Sequence, residues 1–281
     1  MHRLTWLARA PRMAVVALAL LLVTAGGVGA AGIRALHIIT PHSADQVTNI
    51  DVLRLELKNY YGDPGGTGTF AADSFYAQEA SSVAAQGGQW LAAQAKAQAP
   101  SGTKAIVLDV DDTTLATWNY EIFSNWAYKP DTNATYVLGQ LFPAVPGMVE
   151  MANTAADEGY AIFFLTGRPA AQEGATLGNL TADSVGVDAG YPAPTTLNNG
   201  EDGLFTKPAV ADYPDYLQTA CAAEIAAGKS CTTIHYKSAT RAHIESLGYE
   251  IVANFGDQFS DLEGGFADRT FKLPNPNYYL P

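Results

Sequence analysis

The chain has 281 residues, with 28 Asp and Glu against 16 Lys and Arg, giving a formal net charge of -12. That balance excludes a basic surface for a nucleic-acid polymer, because such binding depends on Lys and Arg neutralising phosphates. With 48% hydrophobic residues it can bury a substantial core, and its two Cys exclude both a Cys-rich scaffold and a four-Cys zinc site.

Arg3, Arg9 and Arg12 precede the apolar run Met13 to Val23, and Val28-Gly29-Ala30 is a small-residue cleavage pattern. Residues 1–30 therefore read as an export signal. The competing reading is an uncleaved membrane anchor, since no charge falls between Arg12 and Arg34. Export exposes the chain to an oxidising compartment, where Cys221 and Cys231 would close a short disulfide loop; two free buried thiols are the alternative.

Residues 31–101 read as an N-terminal helical segment that packs on the core. Ile50, Leu53, Leu57 and Tyr60 recur at helical spacing within Asp45 to Tyr61. Gly62 to Gly68 is turn chemistry, without the Lys and the spacing of a phosphate-binding loop. A second helix is expected from Asp73, as N-cap, through Trp90 and Leu91, with Gly87-Gly88 as a break, and Pro100-Ser101-Gly102 marks a boundary.

From residue 102 onward apolar runs alternate with helical patterns, which predicts an α/β core with a parallel sheet. Ala105 to Leu108 ends at Asp109. Tyr160 to Leu165 ends at Thr166-Gly167-Arg168, Thr232 to Tyr236 leads into Lys237 and a helix to Leu247, and Glu250 to Phe255 ends at Gly256-Asp257. Open α/β sheets bind ligands just beyond the carboxyl ends of their strands, so these polar residues are the candidate site.

Asp109-Val110-Asp111-Asp112-Thr113 is the most informative stretch. In an extended backbone Asp109 and Asp111 point the same way while Asp112 points aside. Two close carboxylates pull their pKa values apart, so one can stay ionised as a nucleophile while the other serves as an acid. A calcium loop is excluded, because Thr114 stands where that loop needs Gly and Tyr120 where it needs Glu.

Asp109-Val110-Asp111-Asp112-Thr113, Thr166, Lys237 and Gly256-Asp257-Gln258-Phe259-Ser260-Asp261, in that order, resemble the four-part pattern of the haloacid dehalogenase superfamily. Phe164 to Pro169, Tyr236-Lys237-Ser238, Gly248-Tyr249 and the ending Phe271-Lys272-Leu273-Pro274-Asn275-Pro276 are similar to the class B acid phosphatase and plant vegetative storage protein branch. The likeness runs from about Asn49 to the C-terminus and is strongest from Lys104. Leu115-Ala116-Thr117-Trp118 departs from it, which affects substrate contacts and not the chemistry.

The resemblance implies a Rossmann-like three-layer core over residues 102–281 with a small cap-like insertion at about 116–144. It implies an exported Mg²⁺-dependent acid phosphatase acting on small phosphomonoesters. Asp109 would attack phosphorus to form an aspartyl-phosphate, and Asp111 would protonate the leaving alkoxide and then activate water, which predicts an acidic optimum. Asp109, the backbone carbonyl of Asp111 and Asp257 would hold Mg²⁺, with Asp261 either a further ligand or a partner that orients metal water or the Lys237 ammonium. Thr166, Gly167, Arg168 and Lys237 would hold the phosphoryl group, although Arg168 equally suits pairing with a surface acid. The alternatives are a storage or binding protein of the same fold, and a phosphotransferase using an acceptor alcohol.

Trp118, Tyr120, Phe123, Trp126 and Tyr128 in the insertion suit either core packing or stacking on a leaving group. Asn133-Ala134-Thr135 and Asn179-Leu180-Thr181 match the glycosylation acceptor pattern. A membrane enters only if the N-terminal segment stays uncleaved.

Overall fold

The computed structural model describes residues 40–96, 102–181 and 185–280. The export-signal reading over residues 1–30 lies outside them. Helices α1 (Ile50–Tyr60) and α2 (Phe75–Ala95) precede strand β1 (Thr103–Leu108). Helices α3 (Trp118–Ser124), α4 (Pro130–Leu138) and α5 (Met148–Asp157) then lead to β2 (Ala161–Pro169), α6 (Glu173–Leu180) and β3 (Leu204–Lys207). Helices α7 (Asp215–Ala220), α8 (Ala222–Ala226) and α9 (Thr233–Ser246), strand β4 (Tyr249–Gly256), α10 (Phe259–Leu262) and β5 (Thr270–Lys272) complete the order.

Among the described residues the five strands form one sheet in the order β3-β2-β1-β4-β5, and every pairing is parallel. Successive side chains point to opposite faces. Ile106, Leu108, Ile162, Phe164 and Val252 therefore join the core beneath α2 and α5. Ala105, Val107, Phe163, Leu165 and Ile251 pack on the other face with Leu217, Tyr236 and Ile244 of α7 and α9. Connections from β1 run one way to β2 and β3, whereas β4 and β5 lie on its other side. The crevice between the ends of β1 and β4 is thus the topological switch point, where ligands bind in such sheets.

Several expectations change in detail. The first helix starts at Ile50 under an Asn49 cap. Helix α2 is capped by Ser74, whose hydroxyl accepts the Ala77 amide at 3.1 Å, not by Asp73. Gly87 does not break α2, because it lets the helix lie on the sheet: a Cβ there would meet the Phe255 ring at 2.5 Å. Thr232 to Tyr236 is no strand. The Thr232 hydroxyl accepts the His235 amide at 3.2 Å and starts α9, so Lys237 stands in an early turn of a helix. Asn179 is fully buried and donates to the carbonyls of Phe142 and Val187, which removes it as a glycosylation acceptor.

Beyond β1 the chain turns through Asp112, which adopts a left-handed φ of 54°. Hydrogen bonds hold that conformation: its carboxylate accepts the Thr117 amide at 2.9 Å and hydroxyl at 2.6 Å. Trp118 and Tyr120 of α3 are core residues, whereas Phe123 and Tyr128 are exposed. Trp118 stacks on Tyr61 at 4.0 Å, and its indole N–H donates to Asp63 at 3.0 Å, which ties α3 to the turn after α1. Glu121, on the next turn of α3, is 8% exposed. Burial, helped by the nearby Asp112 charge, pushes its carboxyl up to about 8.

Cys221 and Cys231 form a disulfide with Cα atoms 5.3 Å apart, pinning the loop before α9 to the end of α7. Closing this loop should stabilise the fold by about 2–3 kcal/mol, so reduction or the paired change Cys221→Ala and Cys231→Ala should lower unfolding free energy by that amount in denaturant titration. Unchanged stability would show that the loop is held by its packing alone. For Glu121 the folded chain holds a proton that the unfolded chain releases near 4.5, so stability falls as pH rises from there through about 8. Glu121→Gln should therefore be more stable than the wild type at pH 8, by on the order of a few kcal/mol and with a higher melting temperature, the gap closing towards pH 4.5. Equal melting temperatures at pH 8 would contradict this burial cost.

Candidate active site

The carboxyl ends of β1 and β4 bring three acids together. Asp109, Asp257 and Asp261 each offer an oxygen within 4.8 Å of the others, and all three are buried. Asp109 follows β1, and its amide donates to the Phe255 carbonyl of β4 at 3.0 Å, which fixes the two strand ends side by side. Asp261 arrives through a tight turn: the Gln258 amide donates to its Oδ2 at 2.8 Å in a reciprocal cap of α10. Gly256 makes room, since a Cβ there would lie 2.4 Å from that of Asp261.

Lys237 reaches into this cluster from α9. Its ammonium donates to Asp109 Oδ1 and, at 2.6 Å, to Asp261 Oδ1, and the residue is 3% exposed. Burial alone would lower the Lys237 pKa, but the Asp109 and Asp261 charges outweigh it and hold the ammonium above its usual range. Burial and the Asp261 charge push Asp109 up to about 7 despite Lys237. Asp257 is raised well above the carboxylate range by burial and by Asp261 and Asp109.

Asp257 makes no ion pair among the described residues. Gln258 and Asn275 both donate to its Oδ2, at 2.6 Å each, while Oδ1 meets only the Thr113 hydroxyl at 3.4 Å. Three buried carboxylates with one ammonium are a donor set suited to a hard cation. The residues present therefore fit a divalent ion, which Asp109, Asp257 and Asp261 are placed to hold.

Asp111 is placed differently. Its carboxylate does not join the three-acid cluster; Arg168 grips it with Nε at 3.1 Å and Nη2 at 2.7 Å. The same guanidinium donates through Nη1 to Thr176 at 3.0 Å and lies over the Phe142 ring. Arg168 is 5% exposed, and its partner Asp111, a half-buried acid, belongs to the stretch that follows β1. Thr166 is fully buried within β2, and its hydroxyl accepts the Arg168 amide at 3.1 Å while its own proton has no acceptor among the described residues. Gly167 is exposed, with open space beside its α-carbon.

Two residues that bear on the site were not singled out from the sequence. Asn275 bonds to Asp257, and Tyr278 is a neighbour of Asp112. Only the ending around Phe271 to Pro276 hinted that this segment mattered.

The chain is similar to the stem 28 kDa glycoprotein of Glycine max, with 29% identity over 165 residues, 58% of this chain and 50% of that protein. It is 28% identical to acid phosphatase 1 of Solanum lycopersicum over 64% of this chain and 60% of that one. It is also 28% identical to vegetative storage protein 2 of Arabidopsis thaliana over 62% and 56%. The chain thus spans about half of the length of these relatives. The class C acid phosphatase from Bacillus anthracis superimposes with a TM-score of 0.53 over 82% of this chain and 86% of that one, at 19% identity, which shows a shared fold. The family model of the HAD superfamily, subfamily IIIB (acid phosphatase), matches residues 64–281, and this α/β chain belongs to that family.

Proposed function

We propose that the protein is an exported Mg²⁺-dependent acid phosphatase that hydrolyses small phosphomonoesters through an aspartyl-phosphate on Asp109. The observation that carries this reading is a buried Asp109 bonded to Lys237 and set against Asp257, a second buried acid that has no cation of its own. When bound, Mg²⁺ would neutralise these acids and polarise the phosphoryl oxygens. Asp109, Asp257 and the backbone carbonyl of Asp111 would hold it, with Asp261 orienting Lys237.

An Oδ atom of Asp109 attacks phosphorus as the bond to the ester oxygen breaks. The uncommitted hydroxyl proton of Thr166 and the exposed Gly167 amide donate to the equatorial oxygens, while the Lys237 ammonium balances their charge. Asp111 takes up a proton from the mildly acidic medium and passes it to the departing alkoxide. It then takes a proton from the water that attacks the acyl phosphate, which releases inorganic phosphate and restores Asp109. Arg168 fixes the Asp111 carboxylate in two hydrogen bonds, so this acid-base group is aimed before substrate arrives.

The disulfide supports export, since such bonds persist in oxidising compartments. No helix among the described residues is long and apolar enough to cross a membrane. A storage role alone is disfavoured by the presence of Asp109, Asp111, Thr166, Lys237 and Asp257 together.

Hydrolysis of an aryl phosphate at mildly acidic pH should vanish on chelation and return with added Mg²⁺; turnover indifferent to chelator would refute the metal-assisted route. Asp109→Asn should lower kcat by roughly a thousand-fold or more while circular dichroism reports an intact fold. Retained turnover in that variant would rule out the covalent intermediate.

A further inference from the structure

The C-terminal segment after β5 runs back across the metal-facing acids, and the mechanism above gives it no task. Asn275 Nδ2 donates to Asp257 Oδ2 at 2.6 Å, beside the 2.6 Å bond from Gln258 Nε2 to the same oxygen. Two amides on one oxygen stop the carboxylate from rotating about its last bond. Oδ1 is left turned towards Thr113 and the cluster.

Asn275 is itself held in place. Its Oδ1 accepts the Asn277 amide at 2.8 Å. The Asn277 side chain donates to the Tyr61 hydroxyl at 2.8 Å and accepts the Trp126 indole N–H at 3.1 Å. Gln258 is anchored from the same segment, because its Oε1 accepts the Leu280 amide at 3.1 Å. Ser260 donates to the Leu280 carbonyl at 3.2 Å, and Gln258 Nε2 also donates to the Tyr278 carbonyl at 3.4 Å. Residues 275–280 thereby join an acid of the cluster to the turn after α1 and to the segment after α3.

We propose that residues 275–280 are a positioning strap for the metal, in which Asn275, steadied by Asn277, fixes Asp257 with Oδ1 aimed at the ion. Asn275 is a positioning residue and touches neither substrate nor ion. The inference rests on the reading of Asp257 as a metal ligand. It assigns a task to the Phe271 to Pro276 ending, whose amide side chain works at a distance from the nucleophile.

Calorimetric titration of the full chain with MgCl₂ tests it without reference to turnover. Asn275→Ala should weaken Mg²⁺ binding by about 10–100-fold, in the range that loss of an orienting partner costs a metal site. In assays the concentration of Mg²⁺ giving half-maximal turnover should rise by the same factor, and excess Mg²⁺ should recover most of the turnover. Asn277→Ala leaves both amides on Asp257 but cuts the link to Tyr61 and Trp126, and should give a smaller loss of affinity; it serves as the test if Asn275→Ala does not fold. Wild-type affinity in the folded variants overturns the strap alone. Failure of the wild type to take up Mg²⁺ overturns the metal reading and the strap together.

Discussion

Lys237 is the one ammonium among the described residues that bonds to the acids of the central cluster, and it reaches Asp109 and Asp261 but not Asp257. Burying a charge without a partner is costly, and a folded chain tolerates it only where something binds or where protons are taken up. The raised pKa values of Asp109 and Asp257 express that cost. A divalent cation supplies what the side chains lack, and an anionic phosphate can then approach a site built from acids. The overall charge of -12 predicts poor binding to anionic polymers, but it says little about this local balance.

The scaffold makes such a cluster possible. Parallel strands place Asp109 and Asp257 at adjacent ends on either side of the switch point, and the strands beneath them are apolar on both faces. Gly256 admits Asp261, and the Gln258 amide fixes it. Asp111 is kept apart from the three-acid cluster: it is paired with Arg168, while Asp109 is paired with Lys237. Two neighbouring carboxylates thus receive different cations, which separates their tasks through geometry.

The catalytic end was legible because its residues sit in short, regular motifs at the ends of apolar runs. Asp109 and Asp257 follow β1 and β4 as their patterns predict, whereas Thr166 lies inside β2, which runs on to Pro169. Lys237 was identified but misplaced, because Thr-Thr-Ile reads as strand until the Thr232 hydroxyl is seen capping a helix. Strands β3 and β5 are too short to carry a period of their own; their place depends on pairing with β2 and β4. The grip of Arg168 on Asp111 and of Asn275 on Asp257 joins residues 57 and 18 positions apart, contacts that no local pattern encodes. The aromatic run after Asp111 divided between core and surface for the same reason, since burial of Trp118 depends on Tyr61 and Asp63 from a distant turn.

The cluster carries more buried negative charge than the described side chains balance. Thermal unfolding of the metal-free wild type beside metal-free Asp257→Asn, each repeated with saturating Mg²⁺, tests it most directly. An Asn can still accept the bonds from Gln258 and Asn275 while removing the charge. The metal-free variant should therefore unfold at higher temperature than the metal-free wild type, and Mg²⁺ should raise the melting temperature of the wild type alone. A less stable variant, together with a wild type that Mg²⁺ leaves unchanged, would contradict the account.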